Sequence, residues 1–328
     1  SDLNSCISEV EIRLAIKALK GNKAPGPDTI IGEFYKNGVD VIMPFLVKYF
    51  NHIFDSGLFP DDWSLAVLQP LHKKGDVNNP DNYRGISLLN ICSKIYSFVL
   101  NKRISNWVDE YGLIGEEQAG FREGYSTTDH IFTLYAMVQK QLIRHRKLYV
   151  AFIDFKKAFD SVSRCKLWVI LNKNGINGKM LQALKSMYET VRAKVRVGGD
   201  FTDSFLCPIG LKQGEINSPI IFSLFINELT KDTLSDGRHG IQLSPDFIQL
   251  LIILFADDVA LLSDSVIGLQ TQLNILYNTA KRLDLIVNME KSNIIVFRNG
   301  GHLAANEKWL YGNECLKVVN VYKYLGIY

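Results

Sequence analysis

The chain has 328 residues, 47% of them apolar, and a net charge of +3 from 37 Lys and Arg against 34 Asp and Glu. That length and apolar content give a large buried core in one domain or two subdomains, with no internal repeat or low-complexity segment. So small a charge permits a nucleic-acid partner without demanding one, and no uncharged run reaches the ~18–20 residues that span a bilayer.

In chain order, residues 8–20 predict an amphipathic helix, with Ser8 and Glu11 at capping-box spacing. Residues 21–28, with two prolines and two glycines, read as a loop. A second periodic helix covers residues 42–56, a short strand 66–71 and a polar loop 72–82. Residues 86–111 read as mostly helical. Residues 148–154 predict a strand and residues 179–192 a helix. Residues 193–197 and 201–206 flank Gly198-Gly199-Asp200 as a hairpin. Ser218 followed by Pro219 marks an N-cap and first helical position, for a helix running to about Thr230. Residues 250–262 read as two short strands folded about Ala256-Asp257-Asp258. A helix over 268–283 and a strand over 294–298 follow. Strands interleaved with helices place the chain in the α/β or α+β classes.

The five cysteines (Cys6, Cys92, Cys165, Cys207, Cys315) are widely spaced and form no CxxC, which reads as reduced thiols in an intracellular compartment. The six histidines show no zinc-binding spacing. The chain begins with Ser1 and ends in an apolar run, so both ends read as cut from a longer protein. The absence of a targeting signal is then uninformative.

Asp154 ends the apolar run LYVAFIDF, and Asp257 and Asp258 interrupt LLIILFADDVALL. An isolated buried charge needs a partner or shifts its pKa. Either these are loop acids at strand ends, or they meet on one sheet surface around a shared divalent cation that orders substrate phosphates. Adjacent residues of a strand face opposite sides, so Asp257 and Asp258 cannot face one metal equally.

The ordered motifs decide between these readings. AFIDFKKAFDSV, GLKQGEINSPIIFSLFINEL, FADD, NMEKSNIIVF and YKYLGIY, preceded by KAPGPD, LHKKGD, NYRGISLL and EEQAGFREGYSTTDHI, together resemble the reverse transcriptases, most closely those of non-LTR (LINE-type) retrotransposons. The resemblance covers essentially the whole chain. It implies an α+β polymerase right-hand fold of fingers and palm, with an antiparallel palm sheet backed by helices and the thumb missing. Residues 1–146 would be fingers and N-terminal template-binding region. Residues 147–328 would be palm, with some fingers elements between about 165 and 210.

The resemblance further implies Asp154 and Asp257 as principal ligands of two Mg²⁺ ions, which Mn²⁺ could replace. Asp258 would lie alongside, and the Phe155 carbonyl would add a hard oxygen. Lys291 would act as general acid toward departing pyrophosphate. Phe159 would exclude a ribose 2′-OH, its alternative being a core aromatic. Lys73, Lys74 and Arg84 would hold the triphosphate, and surface solvation remains the alternative for the two lysines. Gln213 and Gly214 would meet the incoming nucleotide and template base. Tyr324, Leu325 and Gly326 would form the primer grip. Asp160 reads as structural, and Ser218–Pro219 as no more than a helix start. Gly85 after Arg84, where many relatives carry proline, and Phe255 in place of tyrosine depart from the family pattern. The implied partners are an RNA template, a DNA primer, dNTPs and further domains of a parent protein, with no membrane. The setting would be nucleus and cytoplasm, as a ribonucleoprotein. The competing function is a catalytically silent RNA-binding remnant of such an element.

Overall fold

The computed structural model of the protein describes residues 3–122, 124–236, 241–242 and 249–328. These form two compact units, residues 1–113 with 163–221 and residues 114–162 with 222–328. Among the described residues no helix is long and apolar enough to cross a membrane.

In the first unit, helix Glu9–Ala18 starts at a complete capping box between Ser8 and Glu11. It packs on helices Val39–Ser56 and Ile91–Glu110. Its entry is tied down by Arg103, 7% exposed. The Arg103 guanidinium donates to both Glu11 carboxylate oxygens (2.6 and 2.9 Å) and to the carbonyls of Ser5 (2.6 Å) and Cys6 (2.9 Å). Phe50 meets Trp63 and Tyr96 edge-on, and Trp63 is tilted against Tyr96, in an aromatic cluster behind these helices. A sheet completes the unit in the order Tyr83–Leu88, Leu65–His72, Arg192–Val197, Asp200–Phe201, with Phe205–Leu206 also paired to Arg192–Val197. Leu65–His72 runs antiparallel to Tyr83–Leu88 and parallel to Arg192–Val197.

The second unit is built on the strand Leu148–Ile153, every residue of which is buried. It sits at the centre of the order Lys317–Val318, Asn293–Phe297, Leu148–Ile153, Asp258–Ser263, Ile252–Phe255. All pairings are antiparallel except that of Lys317–Val318 with Asn293–Phe297. Burial on both faces explains why the strand is a continuous apolar run instead of an alternating one. Leu148, Val150 and Phe152 pack with Leu134, Met137 and Val138 of helix Thr127–Ile143. Helix Val266–Leu283 packs on the same central strands. Its buried Leu269, Leu273, Leu276 and Ala280 recur at helical spacing, and each such leucine contributes roughly 1.5–3 kcal/mol relative to exposure.

Several sequence expectations change. Residues 86–88 are strand, the end of Tyr83–Leu88, because they pair with Gln69, Leu68 and Val67; helix begins only at Ile91. The predicted helix over 179–192 stops at Glu189, since Arg192 already pairs with Leu65. The helix from Ser218 continues beyond Thr230 to Asp236. Helices Thr127–Ile143 and Arg164–Lys173 were not expected. The first is signalled by Ser126, whose backbone N–H donates to Asp129 at 2.8 Å, three residues on as a capping box requires. The hairpin after Arg192 is present, with its return strand broken between Phe201 and Phe205.

Candidate active site

Asp154 directly follows the buried central strand and is itself partly exposed. Its backbone is held from the far side of the sheet. The Asp154 N–H donates to the hydroxyl of buried Ser292 (3.1 Å), and its carbonyl accepts from Asn288 N–H (2.7 Å). The facing hairpin pairs Phe255 with Asp258 and turns through Ala256 and Asp257. Val259 pairs with Ile153, so continuing that register by one step sets Asp258 across from Asp154. The two ends of adjacent strands and one tight turn thus bring all three carboxylates to one edge of the sheet.

Electrostatics register this convergence. Asp258 is pushed up to about 6, first by burial and then by the charges of Asp257 and Asp154. Clustered carboxylates in a low-dielectric setting raise one another's pKa, and a dication relieves the repulsion. The donor set, hard oxygens from three carboxylates, suits Mg²⁺. Among the described residues no three Asp, Glu, His or Cys side chains are already closed into a metal-binding group. The fit therefore rests on donor chemistry and on the burial and mutual repulsion that raise Asp258.

Lys291 lies in the turn that anchors Asp154. Its backbone N–H donates to Asn288 O (3.1 Å), the residue bonded to the Asp154 carbonyl. Phe155 bridges to Val287 on the same segment. Tyr324 closes a turn with Ile327 through mutual backbone bonds of 2.8 and 3.0 Å, around Leu325 (φ 47) and Gly326 (φ 94). Its ring packs 5.1 Å from Phe152, and Tyr322 stacks on Phe152 at 4.5 Å. Burial, followed by Asp258 and Asp154, pushes the Tyr322 hydroxyl up to about 12, which places it within electrostatic reach of the carboxylates. Tyr322 was not foreseen. Its only signal was the i, i+2 spacing to Tyr324, which puts both rings on one face of an extended segment.

Gln118 and Phe121 escaped the sequence reading, which did place a turn at Ala256. Ala256, first of the two turn residues, has φ 58, a conformation costing roughly 1–2 kcal/mol in a residue with a Cβ. Buried Gln118 bonds to both of its backbone polar groups. Phe121, at φ 63, packs edge-on against Phe159 at 5.8 Å, and Phe159 stacks on Phe222 at 4.1 Å. Phe159 is thereby fixed by aromatic neighbours while remaining partly exposed.

The other predicted residues belong to the first unit. Lys73 and Arg84 share an antiparallel ribbon in which Leu71 pairs with Arg84 and the Lys73 N–H donates to Asn82 O (2.8 Å). Lys73, Lys74 and Arg84 are exposed. Gln213 and Gly214 lie against the same ribbon. The Ser87 N–H donates to Gln213 O (2.9 Å), and a Cβ on Gly214 would stand 3.0 Å from Ser87 O at φ +106. Only glycine allows that approach with that backbone. Flanking residues fix the loop. Lys212 is buried and donates to Met187 O (3.3 Å), beneath the rings of Tyr188 and Phe59. Burial pushes its pKa down. Arg164 donates to the carbonyls of Gly210 (2.9 Å), Tyr188 (2.8 Å), Cys207 (2.8 Å) and Ile209 (3.2 Å).

Comparison with known proteins bears on what this arrangement does. Residues 71–328 match the family model described as reverse transcriptase (RNA-dependent DNA polymerase). The chain is 29% identical over 292 residues to the probable RNA-directed DNA polymerase from transposon BS of Drosophila melanogaster, covering 86% of this chain and 31% of that protein. It is 26% identical over 330 residues to the RNA-directed DNA polymerase from mobile element jockey of the same organism, covering 98% and 35%. The chain therefore spans about a third of the length of these curated relatives. A solved structure of apo telomerase from Candida tropicalis, truncated from its C-terminal domain, superposes with a TM-score of 0.53 at 12% identity, covering 86% of this chain and 58% of that one. That likeness speaks to fold alone, and supports a polymerase right-hand-like arrangement of mixed helix and sheet.

Proposed function

Because this chain belongs to the reverse transcriptase family, we propose that it is the RNA-directed DNA polymerase segment of a LINE-type, non-LTR retrotransposon protein, working as a ribonucleoprotein in nucleus and cytoplasm. Its substrates are an RNA template, a DNA primer and dNTPs. The primer 3′-oxygen attacks the α-phosphorus of the dNTP. A new P–O bond forms, the bond to the β-phosphate bridging oxygen breaks, and pyrophosphate leaves. The observation that carries this reading is the convergence of Asp154, Asp257 and Asp258 at one sheet edge, with Asp258 raised to about 6.

In this reading Asp154 and Asp257, with Asp258 alongside and the Phe155 carbonyl as a neutral oxygen, hold two Mg²⁺ ions, for which Mn²⁺ can substitute. Metal held by these residues would supply acidification of the 3′-hydroxyl and neutralisation of charge on the transferring phosphoryl group. Lys291, beside the Asp154 anchor, gives a proton to the pyrophosphate oxygen. Phe159 presents its ring to the sugar and excludes a 2′-hydroxyl. Residues 147–328 serve as palm, with fingers elements between about 165 and 210, and the Tyr324–Gly326 turn supports the primer end. Residues 1–146 serve as fingers, where Lys73, Lys74 and Arg84 bind the triphosphate, while Gln213–Gly214 meet the nucleotide and template base.

Primer extension on poly(rA)/oligo(dT) with dTTP and Mg²⁺ or Mn²⁺ tests the proposal. Asp257→Asn keeps the shape and removes a charge, and is expected to slow extension by about 10³-fold or more, several kcal/mol of lost metal-borne stabilisation. Extension at the wild-type rate by the Asp257→Asn protein would refute it.

A further inference from the structure

The turn that carries Asp257 is held by a residue outside the carboxylate cluster. Its first residue, Ala256, adopts a left-handed φ of 58 without being glycine. Lying in the loop, it takes no part in the ladder that pairs Phe255 with Asp258, so its N–H and C=O need other partners.

Both find them in one side chain. Gln118 is fully buried. Its Oε1 accepts from the N–H of Ala256 (3.1 Å) and of Gly120 (2.8 Å), while its Nε2 donates to the Ala256 carbonyl (3.3 Å). The backbone around it is joined to the hairpin as well. Leu254 N–H donates to Glu117 O (2.7 Å), and Ala119 N–H donates to Leu254 O (3.0 Å), making Gln118 one rung of a parallel bridge to Leu254. Gly120 then approaches so closely that a Cβ there would stand 2.1 Å from the Ala256 nitrogen. Arg122 fastens the segment from outside. It donates to Gly115 O (2.7 Å) and Gln118 O (3.3 Å), with its guanidinium over the Tyr125 ring.

Glutamine fits these demands and its relatives do not. The turn requires one acceptor for two N–H groups and one donor for a carbonyl, on a side chain long enough to span both. Ionised glutamate has no donor and would add a fourth negative charge near the carboxylates. Asparagine is one methylene too short, and methionine matches the length without the bonds.

We propose that Gln118 is a positioning residue for nucleotidyl transfer: its amide fixes Ala256 in the left-handed conformation and so sets where Asp257 and Asp258 present their oxygens. This rests on the proposed polymerase activity. A partner outside the ligand shell that orients metal ligands typically changes metal affinity or activity 10–100-fold when removed.

The test compares wild type with Gln118→Met and Gln118→Asn in the whole chain. The Asn variant keeps an amide in the pocket and guards against a Met variant that fails to fold. Mn²⁺ affinity is measured by electron paramagnetic resonance without nucleic acid, and kcat and KM for dTTP by primer extension. The expected result is a folded variant with Mn²⁺ affinity about tenfold weaker, kcat down about 10–100-fold and KM for dTTP within about twofold. Unchanged Mn²⁺ affinity and kcat in a folded variant would overturn the proposal. So would a loss confined to KM, which would assign Gln118 to nucleotide binding. Should wild type bind Mn²⁺ but fail to extend primers, the polymerase reading falls and the Mn²⁺ titration still decides the role of Gln118.

Discussion

Replacing Arg164 with methionine keeps the aliphatic stem and deletes the guanidinium that gathers four carbonyls at the root of the Gln213–Gly214 loop. Three of its hydrogen bonds are short, to Gly210 (2.9 Å), Tyr188 (2.8 Å) and Cys207 (2.8 Å). A hydrogen bond to a charged group contributes about 1.5–3 kcal/mol, so a simple sum over three gives roughly 4.5–9 kcal/mol. Arg164 is only half-buried and Ile209 is exposed, so water replaces part of the loss and the net cost should be about 3 kcal/mol. Arg164→Lys keeps the charge, but a single ammonium cannot serve three separated carbonyls, so it should lose about 2 kcal/mol. Denaturant unfolding reads the stability, and primer extension reads the KM for dTTP. That KM should rise about tenfold in Arg164→Met, with Arg164→Lys between it and wild type. Were Arg164→Lys equal to wild type in both assays, charge alone would be sufficient and the carbonyl-gathering argument would be wrong.

Other outcomes follow from the same structure. Phe159→Val removes the ring stacked on Phe222 at 4.1 Å and should raise rUTP insertion relative to dTTP at least about tenfold, since a collision and not an attraction discriminates; an unchanged ratio would count against a sugar-sensing role. Gly214→Ala places a Cβ 3.0 Å from Ser87 O at φ +106 and should cost roughly 1–3 kcal/mol by thermal unfolding while depressing extension. For Glu11, burial pushes the carboxyl up, but hydrogen bonds from Arg103 and Ser8 outweigh it and leave the pKa below its ordinary 4.5. A depressed folded-state pKa stabilises above the unfolded value and is lost as pH falls through the folded one. The wild type should therefore lose stability on acidification below about pH 4.5, and Glu11→Gln should flatten that part of the curve.

The clustered carboxylates Asp154, Asp257 and Asp258 were legible because each interrupts an otherwise apolar run, and a charge set among buried strands demands explanation. The helix start at Ser8 and the tight turn at Ala256–Asp257 were legible from local chemistry. What the sequence hid was set by distant pairing. Residues 86–88 carry no strong strand signal of their own and become strand only because Leu65–His72 supplies the partner. Helix Arg164–Lys173 has an interrupted apolar pattern, burying Leu167, Ile170 and Leu171, with exposed Val169 between them. Gln118 looked like an ordinary polar residue within a motif, because its partner lies 138 residues away. Tyr322 had only a two-residue spacing to recommend it.

That distance has a consequence for how the protein is made. The central strand Leu148–Ile153 pairs on both sides with strands that come later, Asp258–Ser263 and Asn293–Phe297. The Asp154–Ser292 and Gln118–Ala256 bonds each close 138 residues, a loop-closure entropy of about 4 kcal/mol before either bond forms. On a ribosome working at roughly 5–20 residues per second, an all-apolar strand must wait roughly 7–29 s for both neighbours, with its edges unpaired and open to other chains. Folding dominated by such long-range pairings is slow. The carboxylate cluster is therefore among the last parts of the chain to form, and a nascent polypeptide stopped before residue 258 already carries Asp154 without the strand that sets Asp258 across from it.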